Sequence, residues 1–346
     1  MEPNFHRILI VRTDRIGDVI LTLPMADVLK KRFSNIHIAM LIRHYTSELV
    51  EGNRNVDQII YYDENNGTKS FFKLAAMLRQ QQFDVVFHTH PRFHLALITW
   101  FAGIPVRVGT GYRWYSFFFN RRVYEHRKYA AYHELEYNLH LLNTIGCSTE
   151  GLDVKPVLEV NPDAMGKVKK LLMDIGIRED RRLVILHPGS GSSARDWSCQ
   201  NFGALGKRIS GIPNVQVIIT GNASEKNLVD KVQSIAGSLV ISIVNKLSLS
   251  EYAALAKLAS LFIANSTGPI HIAAAVGTPV IGLYPQVTAL NAARWGPYTN
   301  NKTIFSPKDK PTDCKICLHK NNSSCECMDS ISVEEVYDAA MKHLMK

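Results

Sequence analysis

The sequence predicts an α/β protein with two doubly wound, mostly parallel sheets. Short apolar runs alternate with segments of helical periodicity, which is the pattern of strands joined by crossover helices. The alternation breaks at Asn161-Pro162 and then starts again, and 346 residues suffice for two domains of ordinary size. We therefore expect Rossmann-like domains over residues 1–160 and 161–330, a linker at Asn161-Pro162, and a last helix within residues 331–346.

Five apolar runs predict the strands of the first domain. They are Arg7–Val11, Ile36–Ile42, Gln58–Tyr62, Asp84–His88 and Val106–Gly109. The predicted helices are Val19–Phe33, Phe71–Gln82, Phe93–Phe101 and His133–Leu142. Since helical segments separate most of the strands, the sheet should be mostly parallel.

The second domain repeats this pattern. Its predicted strands are Leu183–Leu186, Val215–Thr220, Ser238–Ile243, Leu261–Ala264 and Val280–Leu283. Its predicted helices are Gln200–Ile209, Lys226–Ala236, Ser250–Ala259 and Ile270–Val276. The final helix, Ser332–Leu344, begins with a serine cap and carries Glu335 at the capping-box position.

Composition narrows the class of protein. Hydrophobic residues make up 46% and charged residues 21%, as in a soluble globular enzyme. The net charge of +9 indicates an anionic partner, which is a nucleic acid, an acidic membrane surface or a phosphorylated substrate. Apolar runs stay shorter than the roughly 18 residues of a membrane span, and the N-terminus lacks a signal-peptide plan, so we expect a cytoplasmic protein.

The segment from Ile263 to Pro285 reads as strand, turn, helix and strand. Ser266 and Thr267 precede Gly268-Pro269, which is typical of a helix start. Free amides at such a start form an anion site, most often for phosphate, and His271 could add a donor. The alternative is an ordinary turn between a strand and a helix.

The loop after the first strand contains Asp14 and Asp18 with a single glycine, Gly17. The missing G-x-G-x-x-G pattern argues against an NAD oxidoreductase. Ligands of open α/β sheets bind at the carboxyl ends of strands, where this loop lies. Asp18 is therefore either a general base or a carboxylate that caps the following helix.

Three further sequence features in the second domain suit phosphate and ribose. Gly189 and Ser190 lie in a glycine- and serine-rich loop that could cradle a phosphate, although it lacks the Walker pattern. Arg195 could pair with a phosphate through two hydrogen bonds. Gly221 and Glu225 follow the next strand, where a carboxylate could hold ribose hydroxyls.

The stretch Arg113–Tyr132 interleaves aromatic and basic residues. Such a stretch suits an anionic membrane interface or stacking on single-stranded nucleic acid. A partly buried loop and helix with solvated arginines is the simpler interpretation.

Four sequence motifs together resemble glycosyltransferase family 9, whose best-known members are the ADP-heptose:lipopolysaccharide heptosyltransferases. They are TDRIGDVILTLP, HPGSG with the following RDW, TGNASE, and NSTGPIHIAAAVGTPVIGLYP. The resemblance covers essentially the whole chain. It implies a GT-B fold, in which two Rossmann-like domains face each other across a cleft and the C-terminal helix packs back toward the N-terminal domain.

The resemblance also implies a function. It is inverting, metal-independent transfer of heptose from ADP-heptose to the inner core of lipopolysaccharide, with the acceptor on the first domain and the donor on the second. Asp18 matches the catalytic base, Glu225 the residue that binds the donor ribose, and Arg195 a position where the family often has a phosphate-binding lysine. The remaining donor-binding positions are Gly189, Ser190, Gly221, Ser266, Thr267, Gly268 and His271.

Two points of the resemblance concern the sugar and the acceptor. Ser266 stands where heptosyltransferases often carry an aspartate that is thought to contact the heptose, so the identity of the donor sugar stays open. The acceptor is implied to be an anionic lipid precursor at the inner-membrane surface. Arg113, Arg121 and Arg122 are the residues expected to contact it.

Four of the six cysteines are clustered in the pattern C-x2-C-x7-C-x-C. They are Cys314, Cys317, Cys325 and Cys327. A structural zinc is one interpretation, and reduced thiols in a loop are the other, which we favour because the closing C-x-C departs from common zinc spacings.

Two other functions compete with the glycosyltransferase. A nucleotide-sugar epimerase, or a GT-B enzyme with a different nucleotide sugar, would use a similar scaffold. A basic, aromatic-rich binding module would bind nucleic acid with steep salt dependence, but the chain contains no nucleic-acid motif that we recognise.

Overall fold

The computed structural model describes residues 5–33, 35–64, 67–68, 70–308 and 326–345. These residues form two compact units. The first takes the chain up to Arg127 together with Tyr132–Pro156, and the second takes Lys128–Ala131 together with the chain from Val157 onward.

The first unit contains eight strands and five α-helices along the described chain. The strands are β1 (Arg7–Val11), β2 (His37–Ile42), β3 (Gln58–Tyr61), β4 (Asp63–Glu64), β5 (Gly67–Thr68), β6 (Val85–His88), β7 (Val106–Thr110) and β8 (Arg121–Val123). The helices are α1 (Ile16–Ile20), α2 (Pro24–Arg32), α3 (Phe71–Gln80), α4 (Phe93–Phe101) and α5 (Glu134–His140). A 3-10 helix, Leu141–Ile145, directly follows α5.

Six parallel strands form the sheet of the first unit, in the order β3-β2-β1-β6-β7-β8. The chain reverses its direction of winding at β1, and in open α/β sheets such a switch point places ligands beside the strand's carboxyl end. Leu9 and Val11 on β1 pack under Leu74 of α3 and Leu95 of α4. The short pair β4 and β5 is antiparallel and separate from this sheet.

The second unit repeats the arrangement with six strands and seven α-helices among its described residues. The strands are β9 (Arg182–His187), β10 (Val215–Gly221), β11 (Ile241–Val244), β12 (Ala259–Asn265), β13 (Val280–Leu283) and β14 (Lys302–Phe305). The helices are α6 (Pro162–Asp174), α7 (Cys199–Ser210), α8 (Lys226–Ala236), α9 (Leu249–Leu258), α10 (Gly268–Ala275), α11 (Ala292–Trp295) and α12 (Val333–Leu344).

The second sheet is also parallel, in the order β11-β10-β9-β12-β13-β14. Its switch point lies at β9. The terminal helix α12 belongs to this unit's core, where Val336 and Leu344 are buried in the same cluster as Trp197. The predicted capping box of Ser332 and Glu335 is confirmed, while an approach of this helix to the first domain stays a prediction.

Two expectations from the sequence were wrong, and two edge strands were missed. Val19–Phe33 is not one helix, because Pro24 cannot continue α1 and instead begins α2. Asn161-Pro162 is not a linker: the Asn161 side chain caps α6 by accepting from the Asp163 amide at 2.8 Å, and Pro162 takes the first helical position. The edge strands β8 and β14 went unpredicted, since each is short and opens with a basic residue.

Candidate active site

A buried arginine organises the carboxyl end of β1. Arg12 is 1% exposed. Its Nε lies 2.7 Å from Asp14 Oδ1, its Nη2 pairs with Asp18, and its Nη1 lies 3.5 Å from Glu134 Oε1. Burial alone would lower the pKa of Arg12, but the three carboxylates outweigh this effect and raise the pKa above its ordinary value. The guanidinium is therefore permanently charged.

Helix α5 closes this cluster from the other side. Glu134 and Asn138 are four residues apart, so their side chains lie on the same side of the helix. Glu134 also pairs with Arg127, and Asn138 donates to the Leu21 carbonyl at 3.2 Å. The bond to Leu21 ties α5 to the loop between α1 and α2, directly after the helix that contains Asp18.

Asp14 is the strongly ionised member of the cluster. His90 Nδ1 lies 3.1 Å from its Oδ2, and the Tyr45 hydroxyl donates to its carbonyl oxygen at 2.5 Å. Burial would raise the pKa of Asp14, but Arg12 and His90 outweigh it and lower the pKa to about 2. Asp14 therefore serves as a fixed negative charge rather than as a proton acceptor.

Asp18 behaves differently. Burial raises the pKa of Asp18, and the neighbouring carboxylates of Asp14 and Glu134 add to this against the opposing charge of Arg12. Its side chain keeps 13% exposure. The cap residue of α1 is Arg15, whose side chain makes no cap bond, and the Asp18 carboxylate is turned to Arg12 instead. A carboxylate with a raised pKa beside a strand end has the chemistry of a general base.

In the second unit, Glu225 joins two of the predicted donor loops. Its Oε1 accepts from the Gly191 amide at 3.2 Å, and its Oε2 accepts from the Asn222 amide at 3.0 Å. A Cβ on Gly189 would overlap Glu225 Oε1, so only glycine permits this approach. Each carboxylate oxygen retains a further lone pair for a ligand hydroxyl.

Beneath Glu225 lies a buried polar triangle. His187 Nδ1 is 2.9 Å from Thr220 Oγ1 and 3.1 Å from the Tyr252 hydroxyl, and the two hydroxyls are 2.8 Å apart. Burial lowers the pKa of His187 to about 4, although Glu225 opposes the shift. The imidazole is therefore neutral at pH 7, and the triangle fixes the ends of β9 and β10.

The segment that carries Arg195 is held by Asn265 at the end of β12. Asn265 Oδ1 accepts from the Trp197 amide at 2.9 Å, and its Nδ2 donates to the Pro188 carbonyl at 2.7 Å. Ser193 Oγ lies 2.6 Å from the Ser190 carbonyl and 3.3 Å from that of Ser266. These bonds bring together the predicted donor loops that follow β9 and β12.

The start of α10 matches the prediction in position. Thr267 is the N-cap in an extended conformation, Gly268 is the first helical residue, and Pro269 follows, but the threonine hydroxyl makes no cap bond. Ser266 and His271 are 9% and 6% exposed. The threonine hydroxyl thus leaves the first turn of α10 without a side-chain cap, and helix starts are common anion sites.

The predicted acceptor residues lie on other elements of the first unit than the residues that form the cluster around Asp18. Arg113 follows β7, whereas Arg121 and Arg122 lie on the edge strand β8. All three are exposed. The cluster around Asp18 is instead formed by residues that the sequence did not single out, chiefly Arg12 and Glu134. The four-residue spacing of Glu134 and Asn138 on a predicted helix was the available signal.

The cysteine pattern falls mostly outside the described residues. Cys314, Cys317 and Cys325 belong to residues 309–325, and only Cys327 is described, as a half-buried residue that packs against the core of the second unit. Within the described ranges, no group of three or more histidine, cysteine or acidic residues could hold a metal ion. No helix in those ranges is long and apolar enough to cross a bilayer.

Comparison with known proteins gives relatives over most of the chain. It is 27% identical to a Haemophilus influenzae protein named only in general terms, as a glycosyltransferase, over 84% of this chain and 86% of that one. It is 24% identical to lipopolysaccharide heptosyltransferase 3 of Escherichia coli, over 84% and 85%.

A solved structure has the same fold. E. coli ADP-heptose lps heptosyltransferase II superposes with a TM-score of 0.79 at 18% identity and covers 98% of both chains. The predicted fold class, two doubly wound α/β domains of the GT-B type, is confirmed. The model of glycosyltransferase family 9 (heptosyltransferase) matches residues 71–327, which contain the donor loops but not Asp18. Since this match spans well over half of the sequence, the chain belongs to glycosyltransferase family 9.

Proposed function

We propose that this glycosyltransferase transfers a heptose from ADP-heptose to the inner core of lipopolysaccharide. The named relatives support this choice of donor and acceptor, since one is a lipopolysaccharide heptosyltransferase and another carries ADP-heptose in its name. We also propose that it works in the cytoplasm at the inner-membrane surface, where such an acceptor is anchored.

The donor site we propose is the group of loops at the carboxyl ends of β9, β10 and β12. Glu225 would accept hydrogen bonds from the ribose hydroxyls. Arg195 and the first amides of α10, near Ser266, Thr267, Gly268 and His271, would neutralise the diphosphate. Gly189, Ser190 and Gly221 would allow the nucleotide to approach the backbone.

The proposed reaction begins at Asp18. Its carboxylate takes the proton of the acceptor hydroxyl as that oxygen bonds to the anomeric carbon of the heptose. The bond from that carbon to the diphosphate breaks on the opposite side, and ADP leaves with the electron pair. The placement of Asp18 is the observation that carries this assignment: it lies in α1 directly after β1, at the switch point of the sheet, and its side chain is 13% exposed. Burial raises its pKa, whereas that of Asp14 is lowered, so Asp18 is the better proton acceptor of the two.

The test has a binding part and a catalytic part. Calorimetry with ADP, UDP and GDP should give a preference for ADP, and preference for another nucleotide would overturn the proposed donor. Transfer from ADP-heptose should require the lipopolysaccharide precursor. Conversion of the sugar without an acceptor would instead indicate an epimerase.

Replacing the proposed base tests the mechanism. Asp18→Asn should lower kcat by roughly 10²- to 10⁴-fold, because no carboxylate then accepts the proton. Affinity for ADP should stay unchanged. Asp27→Asn is the matched control, since burial also raises the pKa of Asp27, but its carboxylate accepts a hydrogen bond from Asn55 and takes no part in the Arg12 cluster. Full activity of Asp18→Asn would contradict the mechanism.

A further inference from the structure

The first unit exposes a continuous surface of aromatic rings, which we call the aromatic face. Its members, with their exposed fractions, are Phe72 (78%), Phe93 (40%), Trp100 (47%), Phe101 (50%), Trp114 (73%) and Phe117 (60%). Isolated exposed aromatic residues are ordinary, but contiguous apolar surface on a soluble protein marks an interaction site.

Ring contacts join all six members. Phe71 links Phe72 to Phe101 at centroid distances of 5.2 and 5.4 Å, and Phe101 contacts Trp100 at 5.0 Å. Phe118 links Trp100, Phe117 and Phe93 at 5.7, 4.3 and 6.2 Å. Phe93 in turn contacts Trp114 at 4.8 Å. The face therefore extends from α3 across α4 to the loop after β7.

Helix α4 carries large apolar residues on both of its sides. Leu95, Ala96 and Ile98 face the core of the unit and are buried. Phe93, Trp100 and Phe101 lie on the outer side, at positions where a surface helix normally carries polar residues. Each of these three side chains is at least 40% exposed, so core packing alone does not explain their composition.

The charge around the aromatic face has one sign. Residues 85–124 contain five arginines and neither aspartate nor glutamate. Arg92 directly precedes α4, and Arg113 precedes Trp114, and both are exposed. Arginine beside tryptophan and phenylalanine is the composition of segments that bind the interface of anionic bilayers.

We propose that the aromatic face docks on a bilayer that contains anionic phospholipid. Phe93, Trp100 and Phe101 enter the interface between headgroups and acyl chains, and the arginines contact the phosphates. The proposal rests partly on the proposed function, because a lipid-anchored acceptor requires the enzyme to work at a bilayer. It identifies the docking surface, which the resemblance did not.

Vesicle binding tests the surface directly. The wild type should co-sediment with vesicles of phosphatidylcholine and phosphatidylglycerol more strongly than with phosphatidylcholine alone. W100S/F101S should bind the mixed vesicles at least about tenfold more weakly, because two large apolar side chains no longer leave water. Arg92→Gln should weaken binding only to the vesicles that contain phosphatidylglycerol.

A matched control separates the face from apolar exposure in general. Met173 and Leu239 are 67% and 66% exposed and lie in the second unit. M173S/L239S should bind vesicles as the wild type does. Circular dichroism should give unchanged folding for both double variants, since all four side chains are exposed. Wild-type vesicle binding by W100S/F101S would overturn the proposal.

Tryptophan fluorescence gives a second measurement. Trp100 and Trp114 are exposed, whereas Trp197 is 1% exposed. Mixed vesicles should shift the emission of the wild type to shorter wavelength, and brominated phospholipid should quench it. W100F/W114F should still bind but lose the quenching. Binding without quenching in the wild type, or a concentration-dependent dimer that W100S/F101S abolishes while vesicles are not bound, would contradict bilayer docking.

The docking surface and the proposed function can fail separately. W100S/F101S should transfer heptose normally to a deacylated, water-soluble acceptor and poorly to the acceptor in vesicles. Vesicle binding through the face without any transfer from ADP-heptose would refute the function alone. Equal activity of W100S/F101S on both forms of the acceptor would refute the docking surface alone.

Discussion

At the scale of single residues, the cluster around Arg12 depends on mutual compensation. One buried guanidinium is matched by Asp14, Asp18 and Glu134. Removal of one partner from a buried ionic group is costly, because the remaining charge stays desolvated. The sequence marked Asp14 and Asp18 through their place after a strand. It did not mark Arg12, since an arginine after an apolar run is usually exposed.

Asp14 gives a prediction about the pH dependence of stability. Its pKa is about 2 in the folded state and 3.8 without the protein environment. Between these two pH values the unfolded chain therefore binds more protons than the folded protein. The ionised Asp14 carboxylate stabilises the folded state by about 2 kcal/mol above about pH 4, and this contribution is lost as the pH falls toward about 2. Asp14→Asn should lose about this much free energy of unfolding at neutral pH, as measured by urea unfolding.

The wild type and Asp14→Asn should converge in acid, because the Asp14 carboxylate is then protonated. A stability difference that persists unchanged from neutral to strongly acidic solution would refute the assignment. Asp180→Asn is the control, because Asp180 forms an exposed pair with Arg178, with Nη2 to Oδ2 at 2.6 Å. Such surface pairs contribute about 1 kcal/mol or less.

At the scale of elements, the local sequence was sufficient to predict the bounds of several strands and helices that form apolar runs. Buried strands such as Val280–Leu283 and helices such as Phe93–Phe101 have the predicted bounds. Asn161-Pro162 shows where prediction from local sequence fails, because an Asn-Pro dipeptide can either end one helix or begin the next. Which of the two occurs depends on the chain that follows, and α6 has a buried side formed by Ala164, Val168 and Leu172.

The loop containing Gly189 supplies a prediction at this scale. Gly189→Ala places a methyl group in the space that Glu225 Oε1 occupies, so Glu225 must leave the Gly191 amide. Affinity for ADP should fall by roughly tenfold or more, as expected when a charge-assisted hydrogen bond is displaced. Calorimetric titration measures it.

A glycine in α6 provides the matched control. A methyl group added at Gly166 would meet open space out to 4 Å, and the residue lies inside the helix. Gly166→Ala should leave ADP affinity unchanged and stabilise the protein by about 0.5–1 kcal/mol. Equal ADP affinity in Gly189→Ala and the wild type would show that the contact with Glu225 does not shape the donor site.

At the scale of the whole molecule, both units have the same strand order, with the first strand of each unit at the switch point. The alternation of strands and helices predicted this class of fold. It did not predict which distant side chains meet, because bonds such as that from Asn265 to the Trp197 amide join residues 68 positions apart. The site thus depends on tertiary packing that no local pattern encodes.

Because each unit has its own core, we expect the donor nucleotide to change amide hydrogen exchange mainly in the second unit. ADP should slow amide hydrogen exchange most strongly in the loops that follow β9, β10 and β12, because a ligand stabilises the segments it binds. Gly189→Ala should reduce this protection at the same ADP concentration. The strongest protection in the loop after β1 would refute the assignment of the donor to the second unit.

The edge strand β8 affects the tendency of the protein to aggregate at high concentration. It is three residues long, and an exposed sheet edge offers amides and carbonyls to strands of other molecules. Arg121 and Arg122 are exposed on it. A strand added there would bring like charges together at each copy, so short length and repulsion protect this edge from intermolecular aggregation. Variants that neutralise Arg121 and Arg122 to test acceptor binding should therefore also aggregate more readily than the wild type.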